Sequence, residues 1–501
     1  MKVDGGVLQI DPKDNVAVAL RVVGERETFG ELMAVEGVPA GHKVALRTIE
    51  SGEAVVKYGY PIGVAKREIR AGEHVHSHNL ESALAGKLEA RMFAAARGVE
   101  RHDAAVRTFD GYRRTGGGVG IRNEIWIINT VGCVNRVATA IAERAARELV
   151  FEGSAVDGVH TFNHPYGCSQ LGGDLAHTQA LLAALAAHPN AAGVLVLGLG
   201  CENNQLKLFV EKLDRSCEER FRYCNAQDVA DEIESGVGLV RELAEYAAQF
   251  KREPIPAAEL VLGMKCGGSE GLSGITANPL VGRVADKLAA QGGTSILTEV
   301  PEMFGAEGVL LDRAVSADVS GEIAGLVNAF REYFAKHGEP IDENPSPGNK
   351  DGGITTLAEK SLGCVQKGGT YPVKQVLGYA ERASAGLGGI ALLNGPGNDG
   401  VSGTVLSAAG AHMVLFTTGR GTPMGFPVPT LKIATNSALA ERKPGWIDFN
   451  AGVLADGSAE MDEVAEQLFE LVLEVASGRV KTRSEVNGFR EISIWKDGVT
   501  L

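Results

Sequence analysis

The segment HVHSHN places His74, His76 and His78 two residues apart. On an extended strand that spacing sends all three imidazoles to one face, with neighbours roughly 7 Å apart at Cα. Neutral imidazole binds iron, manganese and zinc well, so the chemistry this pattern suggests is metal-assisted. The competing reading is a solvated polar strand end, which three histidines on one face seldom form.

Thiols supply a second group. Cys133 in TVGCVNR, Cys168 in YGCSQLGGD, Cys201 in GLGCENNQ and Cys266 in MKCGGSEG each lie in a glycine-bearing turn, and Cys364 in SLGCVQKGG has similar neighbours without a clear preceding strand. One such cysteine alone is more often a small buried residue. Repetition of the context points instead to thiols gathered at sheet edges, where the turns after parallel strands collect. Cys133, Cys201 and Cys266 are the thiols expected to ligate a metal. The alternative for these three is an iron–sulfur cluster whose open iron takes a substrate hydroxyl. Cys217 and Cys224 lack this context and read as structural.

Charged side chains in the same turns suit an anionic substrate. Arg420, between two glycines in GRGTPMG, allows close approach of a ligand and a two-pronged grip on a carboxylate. Asn123 beside Arg122, Lys265 beside Cys266, Lys360 before Cys364 and Lys350 in ENPSPGNK are further candidates for substrate binding. A proton-transfer role falls to His164, which precedes Pro165, to Lys350, or to Glu299 in TEVPEMFGAE. Any one of these is more often a surface charge, cap or ion-pair residue.

Several kinds of element must position these groups. From Asp14 to about Leu84, short apolar runs alternate with glycine turns, which reads as a small β-rich module over residues 1–95. Ala85 to Phe109 is Ala-rich and charged, and reads as helix or linker. Beyond Gly111 a strand, a glycine turn and an amphipathic helix recur. Examples are Ile125–Ile128 before Val137, Ile141, Ala145 and Leu149, and Val194–Leu197 before Leu206–Leu213. Such alternation implies parallel sheets covered by helices, an α/β class divided here into residues 105–255 and 256–501. Glu343 to Gly353 is too rich in Pro, Gly and Asn for a helix or a central strand, and reads as a lid or site loop.

At 501 residues with 44% hydrophobic side chains the chain has material for more than one core. A net charge of −14 argues against nucleic acid or an anionic membrane as partner. The first twenty residues lack a basic start and an apolar run, and the stretch around Val194–Leu199 is too short to span a bilayer, so a cytoplasmic protein is expected. The glycine turns match neither the GxxxxGK[ST] nor the GxGxxG phosphate pattern, which disfavours ATP and NAD.

Taken together, HVHSHN, VGIRNEIWIINTVGCVN, YGCSQLGGD, VLGLGCENNQ, CGGSEGLSGITANPL, LTEVPEMFGAE, ENPSPGNK, GGITTLAEKSLGC, GRGTP and IATNS make the chain resemble the altronate and galactarate dehydratase family over essentially its whole length. Cys364 in KSLGC and the ending FREISIWKDGVTL favour the altronate branch, while Asn163 and Pro165 stand where Ser and Thr are expected. The resemblance implies an N-terminal SAF-type β domain, an α/β body, dependence on iron(II) or another divalent metal such as manganese, and a small sugar acid as partner. Self-association into a homo-oligomer is compatible with it. The implied reaction takes a proton from C2 and hydroxide from C3 of altronate, leaving an enol that becomes 2-keto-3-deoxy-D-gluconate. In that scheme His74 and His76 help hold the metal, His164 or a lysine is the base, and Arg420 or Lys350 grips the carboxylate.

Overall fold

A computed structural model describes residues 2–84, 105–150, 153–214 and 217–498. The N-terminal module is β-rich, as expected. Its larger sheet runs antiparallel in the order Lys2–Asp4, Val7–Gln9, Val16–Ala19, Lys43–Ala45, His74–Val75, and a second sheet joins Ala54–Lys57, Tyr60–Ala65 and Leu80–Glu81. Tight turns make such short strands workable. Gly72 has φ +81°, and a Cβ there would meet the Met33 carbonyl oxygen at 2.1 Å, so only glycine fits.

HVHSHN departs from the expected strand, which ends after His74–Val75. The buried Asn79 accepts from the His76 N–H at 2.9 Å and donates to the His74 carbonyl at 2.9 Å, curling the chain back on itself. Of the Ala-rich stretch read as helix or linker, residues 85–104 lie outside the described residues. Its last two residues, Thr108 and Phe109, belong to a strand, Thr108–Arg113, which pairs antiparallel with Arg252–Pro256. The chain therefore enters and leaves the middle unit side by side.

That middle unit holds a four-stranded parallel sheet in the order Gly158–Thr161, Glu124–Asn129, Ala191–Gly198, Phe221–Asn225. Period-two alternation sorts its apolar residues by face. Ile125, Ile127, Leu195 and Leu197 pack against the helices Asn135–Leu149 and Glu232–Ala247. Trp126, Ile128, Val194 and Val196 share a core with Ala391, Leu393 and Phe416 of the next sheet. The two sheets are thus joined by packed apolar surface, and removing a ring as buried as Trp126 costs about 3–5 kcal/mol.

The C-terminal sheet has seven parallel strands ordered Val373–Leu377, Gly389–Leu393, Thr294–Leu297, Val261–Cys266, Met413–Thr418, Thr430–Ala434, Phe449–Asn450. Strand order reverses between Val261–Cys266 and Met413–Thr418, and at such a reversal the following loops diverge and leave a crevice. Two expectations need correction here. The proline loop contains a short helix, Pro347–Asp351, closed by a capping box between Ser346 and Asn349. Cys364, read as turn-like from its glycine neighbours, instead ends the helix Leu357–Cys364, which also carries Lys360, so neither sits in a turn. No helix among the described residues is long and apolar enough to cross a membrane.

Candidate active site

The crevice at that reversal is closed on one side by the N-terminal module. Between them lies a cavity of about 670 Å³, bordered by Leu20 and Ala40 of the module and by Glu270, Arg420, Asn436 and Arg442 of the body. Its size suits a small organic acid. Arg420, in the loop after Met413–Thr418, and Arg442, at the end of the helix Ser437–Arg442, are exposed, and neither guanidinium has a partner among the described residues. Two guanidinia on one cavity have the chemistry to grip a carboxylate.

Glu270 lies opposite in chemistry. Its carboxylate accepts from the Leu272 N–H at 2.7 Å and from the Thr435 hydroxyl, and burial pushes its carboxyl above the ordinary range. A carboxyl raised in this way exchanges protons nearer neutral pH than a surface glutamate does.

The cavity wall continues into a histidine cluster. Asp351 lines the cavity, and its carbonyl accepts from His42 Nε2 at 3.2 Å. His42 packs against His74 and His76 with ring centroids 5.1 Å away in each case, and His42 Nδ1 lies 3.0 Å from His74 Nε2. His76 Nε2 donates to the Lys350 carbonyl at 2.9 Å. Because a carbonyl only accepts, these contacts put the proton on Nε2 of His42 and His76, and each Nδ1 lone pair then faces a donor, His74 Nε2 at 3.0 Å for His42 and the Ser77 hydroxyl at 3.0 Å for His76. Burial, together with the neighbouring His42, His76 and His78, lowers His74 to about 3. Burial also lowers His42 and His76. All are held neutral, the state in which imidazole ligates a metal.

His78 is exposed, and one of its nitrogens lies within 4.8 Å of carboxylate oxygens of Glu36 and Glu73. Glu36 also accepts from the His74 N–H at 3.3 Å. His42 is buried and His74 and His76 are half-buried, but these three rings do not bring donor atoms within 4.8 Å of one another, whereas Glu36, Glu73 and His78 do. Imidazole with carboxylate is a donor chemistry that suits iron(II) or manganese, though the three rings would have to close up to share one ion.

Behind the cavity, Lys265, Lys360 and Lys367 interleave with Glu299, Glu302 and two thiols. Lys265 Nζ lies 2.7 Å from both Glu299 and Asp399. Lys360 lies 2.8 Å from Glu302 and donates to Asn344 of the proline loop at 3.0 Å. Burial alone would raise Glu302, but the ammonium groups of Lys360 and Lys367 outweigh it and hold the carboxyl at about 2. Lys367 donates to Cys266 Sγ at 2.8 Å, and Cys266 and Cys364 sulfurs stand 3.4 Å apart.

This arrangement corrects three expectations. Lys265 and Lys360 are spent on internal ion pairs and have no free donor face for a substrate. Glu299 has φ +68° and, unlike Glu270, does not border the cavity; it is ion-paired with Lys265 at 2.7 Å and accepts from the Cys266 N–H at 3.1 Å, so it positions rather than abstracts. Cys266, Cys364 and Glu302 do bring donor atoms within 4.8 Å of one another. The Lys367 ammonium, however, occupies the coordination space at the Cys266 sulfur, which argues against that thiol as a metal ligand.

Other expected site residues lie in the middle unit. His164 is buried with both ring nitrogens engaged, Nε2 with the Asn129 carbonyl at 2.9 Å and Nδ1 with the Tyr166 N–H at 3.2 Å, so it is not free to act as the base. Asn123 bonds Arg114, Asp157 and the carbonyls of Ala155 and Ala247, which makes it a structural tie. Arg122 is paired with Glu485 at 2.7 Å. Cys133 and Cys201 are exposed at the edge of the four-stranded sheet, whereas Cys266 is buried in the C-terminal sheet.

Arg420, expected to grip a ligand, is exposed and borders the cavity. Lys350 is exposed, and its backbone, not its ammonium, touches the histidines. Sequence reasoning missed His42, a lone histidine in GHKVAL with no spacing signal. It also missed Glu270, whose glycine-flanked setting in GGSEG is the same kind of signal that singled out Arg420.

Three family models match the chain. Residues 6–83 match the altronate/galactarate dehydratase SAF domain, 111–248 the second domain of D-galactarate dehydratase/altronate hydrolase, and 257–500 the C-terminal domain of D-galactarate/altronate dehydratase. Altronate dehydratase of Bacillus subtilis (strain 168) is 48% identical over 498 residues, 99% of both chains. Altronate dehydratase of Escherichia coli (strain K12) is likewise 48% identical over 99% of both. Galactarate dehydratase (L-threo-forming) of Escherichia coli (strain K12) is 34% identical, covering 95% of this chain and 94% of its own.

Proposed function

Because the chain belongs to the D-galactarate/altronate dehydratase family, we propose that it is a hydro-lyase converting D-altronate to 2-keto-3-deoxy-D-gluconate. The observation that carries the assignment to a site is a cavity bordered by two unpartnered guanidinia and a buried carboxyl, with Asp351 on its wall hydrogen-bonded to the histidine cluster through His42. The full-length identity to two altronate dehydratases supports the substrate.

In this reading Arg420 and Arg442 grip the C1 carboxylate, and the exposed Lys350 ammonium adds to the positive field at the mouth. Glu270 takes the C2 proton onto its carboxylate. Hydroxide leaves C3 as the C2–C3 double bond forms, and the enol then takes up a proton at C3 to become the 2-keto-3-deoxy acid. Iron(II) or manganese would supply stabilisation of negative charge developing on substrate oxygens, and His42, His74 and His76 would hold it once a change of side-chain rotamers draws their nitrogens together. Glu299, Lys265 and Lys360 keep the loops behind the cavity in register. The protein is proposed to work in the cytoplasm, on a free sugar acid.

Reduced protein supplied with iron(II) or manganese should form a 2-keto-3-deoxy acid from D-altronate at least about tenfold faster than from galactarate, a discrimination of about 1.4 kcal/mol. Tight binding of altronate without turnover would instead mark a sugar-acid sensor and overturn the hydro-lyase assignment.

A further inference from the structure

Away from the cavity, the four-stranded sheet of the middle unit presents Cys133, Cys168 and Cys201, all free and all exposed. Free cysteine is among the residues most often buried, so three exposed on one sheet edge call for a reason. Each follows a different one of three adjacent parallel strands, Glu124–Asn129, Gly158–Thr161 and Ala191–Gly198. Strand order also reverses here, because the chain passes from Gly158–Thr161 across Glu124–Asn129 to Ala191–Gly198, and that makes the edge a ligand-binding crevice in its own right.

The three loops are bound into one rigid piece. Gly132 N–H donates to the Tyr166 carbonyl at 2.8 Å, Ser169 N–H to Asn203 at 2.7 Å, and Asn204 N–H to the Gly167 carbonyl at 2.9 Å. Beneath them the buried Glu202 accepts from Thr130 at 2.6 Å and Gly200 N–H at 2.7 Å, and Asn204 donates to the Thr130 carbonyl at 2.9 Å. A Cβ on Gly167 would meet the Thr130 carbonyl oxygen at 2.1 Å, and one on Gly132 the His164 carbonyl oxygen at 2.7 Å. The loops are therefore packed to a distance that only glycine permits.

We propose that Cys133, Cys168 and Cys201 together hold a 4Fe–4S cluster through three irons, leaving the fourth iron open to an oxygen ligand such as the hydroxyl of a hydroxy acid. Among the described residues these thiols belong to no group of donor atoms within 4.8 Å of one another, as a single ion requires. A cluster spreads its thiolates wider than one ion does. Three cysteine thiolates satisfy three irons of such a cluster and leave the fourth without a thiolate from this set. This assignment replaces Cys266 by Cys168 in the thiol set that sequence suggests, and it does not depend on which sugar acid is the substrate. Loading is a ligand exchange with a thiolate-bound cluster of 2+ core charge. Three iron–sulfur bonds to the cysteines form, three donor thiolates leave carrying the cysteine protons, and no electron is transferred.

The test is anaerobic incubation of the full chain with a 4Fe–4S cluster ligated by small thiolates, followed by desalting. Iron, acid-labile sulfide, visible absorption and paramagnetic resonance after mild oxidation are then measured. About four irons and four sulfides per chain are expected, with loss of the open iron on oxidation giving a three-iron signal. Cys133→Ser, Cys168→Ser and Cys201→Ser should each lose at least about three quarters of the sulfide. Circular dichroism verifies that each variant is folded, and Cys217→Ser serves as the control that retains it. Iron or zinc bound without sulfide, or sulfide retained in folded triple-serine protein, overturns the proposal.

Discussion

Lys43, which follows the cluster histidine His42 in the chain, ends 2.8 Å from Glu359 of the helix Leu357–Cys364, and both side chains are buried. Lys57 takes the other carboxylate oxygen at 2.8 Å. The N-terminal module is thereby fastened to the body by one carboxylate between two ammonium groups. Burial favours the neutral acid, but the two lysines outweigh it and hold Glu359 at about 2.

Glu359→Gln should destabilise the protein by about 3–5 kcal/mol at neutral pH, because it leaves buried ammonium groups without their counter-charge. The depressed carboxyl contributes stability above its ordinary value of 4.5, and that contribution drains away as pH falls from there towards about 2. Urea midpoints of wild type and variant should therefore converge across that acid window. A gap that stays constant down to about pH 3 would show that the charge is not the cause.

Replacing Arg420 tests the carboxylate grip. Arg420→Ala should raise KM for altronate about 10- to 100-fold, as expected when charge-assisted hydrogen bonds worth about 1.5–3 kcal/mol are lost. Arg420→Lys should recover little of this, since an ammonium cannot make the paired contact. Steady-state kinetics at saturating metal decides the matter, and an unchanged KM moves the grip to Arg442.

Glu270→Gln should lower kcat by about 100- to 10,000-fold while changing KM little. Burial raises the Glu270 carboxyl, and only the ionised form accepts a proton. Wild-type kcat/KM should thus fall on the acid side around a pKa above the ordinary glutamate value, and the variant should lack that limb. A variant with normal turnover removes Glu270 from the chemistry.

His42→Ala and His74→Ala should each weaken iron(II) or manganese binding about 10- to 100-fold, on the scale seen when a ligand's supporting partner is lost, or more. Equilibrium dialysis measures this without reference to turnover. His164→Ala should leave metal affinity and KM unaltered and lower thermal stability alone, because among the described residues its two ring nitrogens are engaged by the Asn129 carbonyl and the Tyr166 N–H.

Hydrophobic periodicity and glycine turns were enough to read the β-rich module and the parallel sheets, because burial on one or two faces imposes a period of two on a strand and near four on a helix. Arg420 was legible for a similar local reason, since two flanking glycines advertise backbone exposed to a ligand. Long-range pairing was not legible. Lys265 and Lys360 also read as candidate ligand cations in sequence, and only their distances to Glu299, Asp399 and Glu302 show that they are consumed within the body.

The sequence by itself determined the family, the α/β class and the residue types available for chemistry, all of which depend on neighbours in the chain. Tertiary structure decided which of those residues meet. It drew His42 beside His74 across 32 positions and brought Glu270 and Arg420 to the border of one cavity, while it left Cys133 and Cys201 on a different sheet from Cys266. The reason is that strand order, unlike strand formation, is fixed by packing between segments far apart in the chain, and the sheet edge where loops gather follows from that order.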